Sequence, residues 1–166
     1  MDVLAPPEPL SALVMAELCT VVRSVAAQRE AWREPLVFDP IGRWSRLLYA
    51  DDQYDVWILT WLPGQGTDLH DHDTSAGAFT VVRGSLVEAR PNSRGRLLPE
   101  VLPMGFTRWV APGAVHRVSN VDKTPAVSVH AYSPPLRAMT TYDARRGRLV
   151  RQRSEPVLST SAVGVA

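Results

Sequence analysis

Two of the chain's four histidines, His70 and His72, lie one residue apart in the segment LHDHD. Residues i and i+2 of an extended strand project to the same face, so both imidazoles point one way and Asp71 points the other. Imidazole is the commonest metal ligand in proteins. The spacing is therefore typical of a pair of metal ligands, although a single histidine is more often a structural residue.

The other two histidines lie in strand-like segments further along the chain. His116 follows a Pro-Gly turn in WVAPGAVHRVSN. In PAVSVHAYSPP, the polar residues Ser128, His130 and Tyr132 alternate with apolar residues, so the three share one strand face. Such a face is typical either of an exposed strand or of the polar lining of a pocket inside a barrel.

The segments that carry these residues are predicted to be β-strands behind a helical lead-in. Apolar residues at spacings of three and four predict an amphipathic helix near the start, with Ser11 as its N-cap. After Pro35, short runs rich in Val, Trp, Tyr, Leu and Thr alternate with turn residues. The expected fold is all-β, a sandwich or barrel, with hairpins around Gly84 and Ser85 and at PNSRGR.

Length and charge limit the organisation and the partners. A chain of 166 residues with a formal net charge of +1 predicts one domain and no nucleic acid partner. We expect a helical lead-in over 1–35, a barrel over 36–152 and a C-terminal tail over 153–166. No apolar run reaches about 18 residues, and the start lacks a signal peptide's features. We therefore expect a cytoplasmic monomer with a small-molecule partner and no membrane partner.

Together, the histidine segments resemble the two signature motifs of the cupin superfamily. Cupins are double-stranded β-helix barrels that bind a metal inside. This chain departs from the usual motifs at Gly77, where a Glu ligand is common, and in a second-motif Pro-Gly that is one residue tighter. The resemblance implies a site of three histidines, His70, His72 and His116. The matching patterns are Gly64-x5-His70-x-His72-x4-Gly77-x6-Gly84 and Gly105-x6-Pro112-Gly113-x2-His116-x3-Asn120.

Within the cupins, the segments HDHDTSAGAF and SVHAYSPP are similar to the cysteine dioxygenase family over residues 40–145. That resemblance implies that His70, His72 and His116 hold Fe(2+). It also implies a relay of Ser128, His130 and Tyr132 beside the iron, and a cis bond between Ser133 and Pro134. Animal members join a Cys to the active-site Tyr, and Gly77 stands at that Cys position, so Tyr132 is expected to be free.

The same resemblance assigns the substrate side of the pocket. Arg46 in RWSRLL matches the family's carboxylate-binding arginine, and Trp44 stands where animal members carry Tyr. Met139 is expected to border the substrate. Without the resemblance, Arg46 is more typical of an exposed strand residue. The lesser alternative for Tyr132 is a core tyrosine whose hydroxyl is satisfied by His130, and Met139 is typical of a flexible gap-filler.

The predicted activity is the oxidation of L-cysteine by O2 to cysteine sulfinic acid. Three neutral imidazoles leave adjacent positions on Fe(2+) open and its charge intact, so a substrate thiolate can supply the missing anion. The nearest alternative is a 3-mercaptopropionate dioxygenase. The other is a metal-binding cupin without redox chemistry, such as an isomerase or a sensor domain, which does not need the Ser128, His130 and Tyr132 relay.

Overall fold

The computed structural model describes residues 13–145 and 148–156. Within these residues, two helices precede eleven strands. The elements are α1 (Met15–Ala27), α2 (Arg29–Trp32), β1 (Ser45–Ala50), β2 (Asp55–Trp61), β3 (Leu69–Asp71), β4 (Ala76–Arg83), β5 (Ser85–Pro91), β6 (Leu97–Pro103), β7 (Thr107–Val110), β8 (Arg117–Ser119), β9 (Ala126–Ser133), β10 (Ala138–Arg145) and β11 (Arg148–Pro156).

The predicted amphipathic helix is present as α1, and it covers the outside of the barrel. Its first turn is held by the Glu17 carboxylate, which accepts a hydrogen bond of 3.0 Å from the Val14 N–H. Leu18 and Val22 are fully buried in a cluster with the outer face of the large sheet. Ser11, predicted as the N-cap, lies outside the described residues, and the helix begins later, at Met15.

The large sheet has five antiparallel strands in the order β1-β2-β9-β4-β7. Strands β2 and β9 are buried along their whole length. One face of these strands lines the barrel interior, and the other packs under α1. A strand buried on both faces has no polar face to expose, so its sequence does not show which side is the interior.

Two three-stranded sheets, β11-β10-β3 and β6-β5-β8, form the opposite wall. Two isolated antiparallel bridges join them, His70 to His116 and Gly66 to Ser119. The all-β barrel with an N-terminal helix is therefore confirmed. In the part of the chain that is described, no helix has the length and apolar character needed to span a bilayer.

The hairpin predicted around Gly84 and Ser85 is wrong. Strand β4 pairs with β9 and β7, whereas β5 pairs with β6 and β8, so the chain passes from one wall to the other at this point. Gly84 has a φ of 72°, a conformation that side chains disfavour. The turn is therefore a corner between sheets.

The second predicted hairpin, at PNSRGR, is confirmed because β5 pairs with β6 across it. The Asn92 side chain accepts hydrogen bonds from the N–H groups of Arg94 and Arg96, at 2.9 and 3.0 Å.

Further on, strand β11 continues to Pro156, so residues 153–156 of the expected tail belong to a strand. Residues 157–166 lie outside the described part.

Candidate metal centre

Three histidines meet where the two small sheets join. His70 lies in β3, His72 follows that strand, and His116 immediately precedes β8. The backbones of His70 and His116 exchange two hydrogen bonds of 2.8 Å. All three side chains are buried, and their ligand nitrogens lie within 4.8 Å of one another. The backbone bridge thus brings together two residues that are far apart in the chain.

The nitrogen geometry fits a shared metal ion. The Nε2 atoms of His72 and His116 are 3.4 Å apart, so both can lie about 2.1 Å from one divalent ion. The Nδ1–H of His70 donates to the Asp68 carbonyl at 2.9 Å, which leaves the Nε2 lone pair free. Burial lowers the pKa of His70 to about 3, and that of His72 well below its ordinary value. These imidazoles are therefore neutral, as metal ligation requires.

Glu88 contacts the histidine cluster, and the sequence analysis did not identify it. Its side chain is only 1% exposed, and its Oε1 accepts a hydrogen bond of 2.8 Å from His116 Nδ1. Its Oε2 forms ion pairs with Arg90 at 3.0 Å and Arg108 at 2.8 Å. Burial raises the pKa of Glu88, but His116 and Arg90 outweigh it and hold the pKa below its ordinary value. A carboxylate behind a ligating imidazole orients the ring and makes it a stronger donor.

Gly77 leaves the space that the neighbouring rings occupy. A Cβ added at this position would lie 3.1 Å from Nδ1 of His72 and 3.3 Å from Cε1 of Tyr132. Both contacts are tighter than ordinary van der Waals contact, so either ring would have to shift. A side chain at this position would therefore require His72 or Tyr132 to move by a few tenths of an ångström.

The predicted relay of Ser128, His130 and Tyr132 lies beside the three histidines. Ser128, His130 and Tyr132 occupy the inward face of β9, opposite Leu59, Trp57 and Asp55 of β2. Ser128 Oγ is 2.8 Å from His130 Nε2, and the Tyr132 hydroxyl is 3.4 Å from His130 Nδ1. The rings of Tyr132 and His72 are in edge contact, with centroids 4.8 Å apart. The peptide bond between Ser133 and Pro134 is cis, which confirms that expectation.

The three clustered histidines, together with His130 and Tyr132 of the relay, line one cavity of about 160 Å³. That volume is roughly five times the 30 Å³ share of one liquid water, so it suits a small molecule. Met139 is part of its wall, as expected. The complete lining is Arg43, Ser45, Trp57, Leu59, Trp61, Thr67, His70, His72, Gly77, Ala78, Phe79, Val110, His116, Val118, His130, Tyr132, Leu136 and Met139.

The structure does not bring Arg46 to this cavity. In the register of β1 with β2, Arg46 lies opposite Ile58, which packs in the helix-facing cluster. Directly paired residues of antiparallel strands share a face, so Arg46 faces the outer layer. Its Nε and Nη2 atoms are buried without a hydrogen-bond partner among the described residues. Trp44 also packs in the helix-facing cluster, so the same correction applies to it.

Arg43 is the arginine that reaches the cavity. The inward residues of β1 are Ser45 and Leu47, opposite Leu59 and Trp57. Arg43 precedes Ser45 by two residues, and its guanidinium carbon lies 4.7 Å from the ring centroid of Trp61. The residue as a whole is exposed, but its guanidinium turns into the cavity mouth, where burial lowers the pKa of Arg43 although Tyr132 and Asp68 favour the charged form. The sequence analysis missed Arg43, because both faces of the sheet are covered and only the register with β2 identifies the inward residues of β1.

This barrel with three imidazoles inside defines a metal-binding cupin, and solved structures share the fold. A Klebsiella pneumoniae protein with a double-stranded β-helix domain matches at a TM-score of 0.55 and 20% identity. The match covers 61% of this chain and 85% of that one. An RmlC-like cupin from Desulfovibrio desulfuricans matches at a TM-score of 0.52 and 19% identity, covering 61% and 92%. The cupin fold is therefore confirmed.

The family follows from the sequence comparisons. Residues 11–145 match the sequence profile of the family described as cysteine dioxygenase type I. Cysteine dioxygenase type 1 of Danio rerio is 30% identical over 143 residues, which span 79% of this chain and 71% of the relative. The chain therefore belongs to the cysteine dioxygenase family, and its three-histidine cluster has the geometry to hold a metal ion.

Proposed function

We propose that the protein is an Fe(2+)-dependent thiol dioxygenase that converts L-cysteine and O2 to cysteine sulfinic acid. One observation carries the proposal: a single small cavity contains three convergent imidazoles, a guanidinium and a tyrosine hydroxyl. These groups match the parts of the substrate and the reaction. Fe(2+) bound there supplies open coordination positions at which a thiol is deprotonated and O2 can react with it.

The reaction balances without an external reductant. Both oxygen atoms of O2 are added to one sulfur, so the thiol becomes a sulfinic acid. Sulfur loses four electrons, which are the four that O2 gains. The thiol proton is released when the thiol binds, and the neutral sulfinic acid carries one proton, so the overall reaction is balanced in protons as well. The protein therefore has to bind and orient the substrate and manage one proton, but it does not have to deliver electrons.

Arg43 is proposed to hold the substrate carboxylate. A guanidinium presents paired N–H donors that match a carboxylate. The other polar residues of the cavity wall are histidines, Tyr132, Ser45 and Thr67, and none of them presents paired cationic N–H donors. With the carboxylate at the mouth, the thiol end of a small amino acid extends towards the histidines. In this proposal Arg43 takes the role that the sequence analysis gave to Arg46.

Tyr132 is proposed to donate a hydrogen bond inside the cavity. Burial, reinforced by nearby Asp55, raises the pKa of the Tyr132 hydroxyl, so it stays protonated at neutral pH. The contact between its ring and His72 supports a position for the hydroxyl near the proposed metal site. His130 and Ser128 orient that hydroxyl from behind. Met139 closes the wall next to the substrate.

Oxygen uptake with a panel of thiols tests the proposal. The protein is loaded anaerobically with Fe(2+) and then given O2 with L-cysteine, 3-mercaptopropionate or cysteamine. We expect L-cysteine to have the highest kcat/KM, with one O2 consumed for each sulfinate formed. Faster oxidation of 3-mercaptopropionate would make that acid the substrate. A folded, iron-loaded protein that oxidises none of the thiols would refute dioxygenase activity and favour a cupin without redox chemistry.

A further inference from the structure

Trp61 contacts both the Ser128, His130 and Tyr132 relay and Arg43, although it belongs neither to the three-histidine cluster nor to the relay. Its side chain is 1% exposed at the end of β2. The indole Nε1–H donates a hydrogen bond of 2.8 Å to Ser128 Oγ. The face of the same ring carries the Arg43 guanidinium, with 4.7 Å between guanidinium carbon and ring centroid. One residue therefore contacts the far end of the relay and the cation at the cavity mouth.

The indole contact determines which way the hydrogen bonds of the relay run. An indole N–H can donate but cannot accept, so Ser128 Oγ must be its acceptor. Among the described residues, the other partner of that hydroxyl is His130 Nε2, at 2.8 Å. The serine proton therefore points to Nε2. The opposite direction would leave a buried serine proton without an acceptor, which is costly.

The direction continues through His130 to Tyr132. Burial lowers the pKa of His130 well below its ordinary value, so the ring is neutral and carries one proton. Because Nε2 accepts from Ser128, that proton is on Nδ1, and Nδ1–H points to the Tyr132 hydroxyl oxygen. The tyrosine proton is then free to be donated into the cavity. Phe79 stacks on the His130 ring at 4.9 Å and 9°, which holds the ring plane.

Without the indole N–H, a second arrangement becomes available. The smaller ring of Trp61→Phe leaves room for a water at the indole N–H position, and that water can accept the Ser128 proton. The Ser128 hydroxyl could then rotate and accept from His130 Nε2–H, which would leave Nδ1 as an acceptor. The Tyr132 proton would then be drawn to Nδ1 and away from the cavity. The two arrangements use the same heavy-atom positions and differ only in the positions of three protons.

The other face of Trp61 acts on Arg43. A guanidinium over an indole ring gains a cation–π attraction, and tryptophan is the best aromatic partner for it. Burial of the guanidinium lowers the pKa of Arg43, so the contact with the indole face stabilises a cation that has lost part of its hydration. It holds the Arg43 guanidinium against the part of the cavity wall that Trp61 forms.

We propose that Trp61 is a positioning residue that sets the proton direction of the Ser128, His130 and Tyr132 chain and holds Arg43 at the cavity mouth. The inference rests on the proposed function, because it assumes that Arg43 binds a substrate carboxylate and that Tyr132 donates to the reacting groups. Its two parts act on different kinetic constants. The relay contributes to turnover, and Arg43 contributes to substrate binding.

The tautomer of His130 provides a test that does not depend on activity. The chain has four histidines, and three of them bind the metal in a Zn(2+)-loaded, diamagnetic sample. Long-range nitrogen–proton NMR spectra of labelled protein then report the protonated nitrogen of each ring, and the His130→Gln variant assigns the fourth set of signals. We expect Nδ1–H in the parent protein and loss of that preference in Trp61→Phe.

Trp109→Phe is the matched control for the NMR test. Trp109 packs in the helix-facing cluster, and its Nε1 has no hydrogen-bond partner among the described residues. The same chemical change there should leave the His130 tautomer unaltered. A His130 ring that keeps its proton on Nδ1 in folded Trp61→Phe would overturn the proposed control of direction.

Steady-state kinetics with L-cysteine separate the two contacts. Trp61→Phe keeps a ring face but loses the N–H, so we expect kcat to fall about tenfold, the effect of one lost hydrogen bond. Its KM should change less than about twofold. Trp61→Leu loses the ring as well and should also raise KM, by about threefold or more. Ser128→Ala should lower kcat similarly, and combining it with Trp61→Phe should add little.

The outcomes distinguish this inference from the proposed function. A parent enzyme that oxidises thiols while Trp61→Phe retains full kcat would overturn the relay part alone. Trp61→Leu with an unchanged KM would overturn the Arg43 part. If Trp61→Phe and Ser128→Ala lower kcat additively, Trp61 does not act through Ser128. A parent enzyme without thiol oxidation would refute the proposed function, while the His130 tautomer would still decide the proton direction.

Discussion

Replacement of Arg43 by Gln tests which of the two arginines near the start of β1 binds the substrate. The substitution keeps a polar side chain but removes the charge and the paired donors. A charge-assisted contact is commonly worth about 1.5 to 3 kcal/mol. At about 1.4 kcal/mol for each factor of ten, the KM for L-cysteine should rise between about tenfold and 150-fold if KM follows binding. The values come from oxygen uptake by protein of equal iron content.

Two controls make the result specific to a carboxylate contact. Cysteamine has the thiol and the amine of cysteine but lacks the carboxylate, so its kcat/KM should be nearly the same for Arg43→Gln and the parent enzyme. Arg46→Gln makes the same chemical change on the opposite face of β1, where the side chain faces the helix layer. It should leave the KM for L-cysteine within about twofold of the parent value.

The reverse pattern would refute the placement of the two arginines. If Arg46→Gln raised KM strongly and Arg43→Gln did not, β1 would present its other face to the cavity during catalysis. If both variants lowered kcat/KM equally for cysteine and for cysteamine, the effect would be on the fold and not on carboxylate binding. Circular dichroism and iron content, measured on the same preparations, separate that case from a binding effect.

Two further predictions concern the histidines. Glu88→Gln removes the anionic partner of His116, and we expect metal affinity to fall about 10-fold to 100-fold in chelator competition; an unchanged affinity would show that the carboxylate serves only Arg90 and Arg108. The metal-free protein should lose stability as pH falls below about 6.5, because the pKa values of His70, His72 and His130 are lowered in the folded state and the unfolded chain takes up protons first. At a pH of about 5.5, each such histidine should lower the free energy of unfolding by about 1.4 kcal/mol relative to neutral pH. Equal free energies of unfolding in urea at a pH of about 5.5 and at neutral pH would contradict the buried, neutral state.

The sequence alone was sufficient wherever the information was local. The i, i+2 spacing of His70 and His72 follows from the geometry of one strand, and the alternation of Ser128, His130 and Tyr132 follows from another. The helix that became α1 was visible from its apolar spacing. These patterns, with the family resemblance, were enough for the barrel, the three histidines and the relay.

Strand pairing decided the rest, because it joins segments that lie far apart in the chain. Both faces of the large sheet are covered, one by the interior and one by α1, so the pattern of β1 does not reveal which arginine points inward. Only the register with β2 places Arg46 outside and Ser45 inside. Gly84 is a corner and not a hairpin for the same reason, since β4 and β5 find partners in different walls.

The same non-local pairing gave Glu88 and Trp61 their positions. A glutamate in VEAR and a tryptophan in LTWL are ordinary strand residues by sequence. Glu88 contacts His116 because β5 pairs with β8, and Trp61 reaches Ser128 because β2 pairs with β9. Hydrogen bonding between strands brings such residues within 3 Å, and no periodicity within a single segment records that contact.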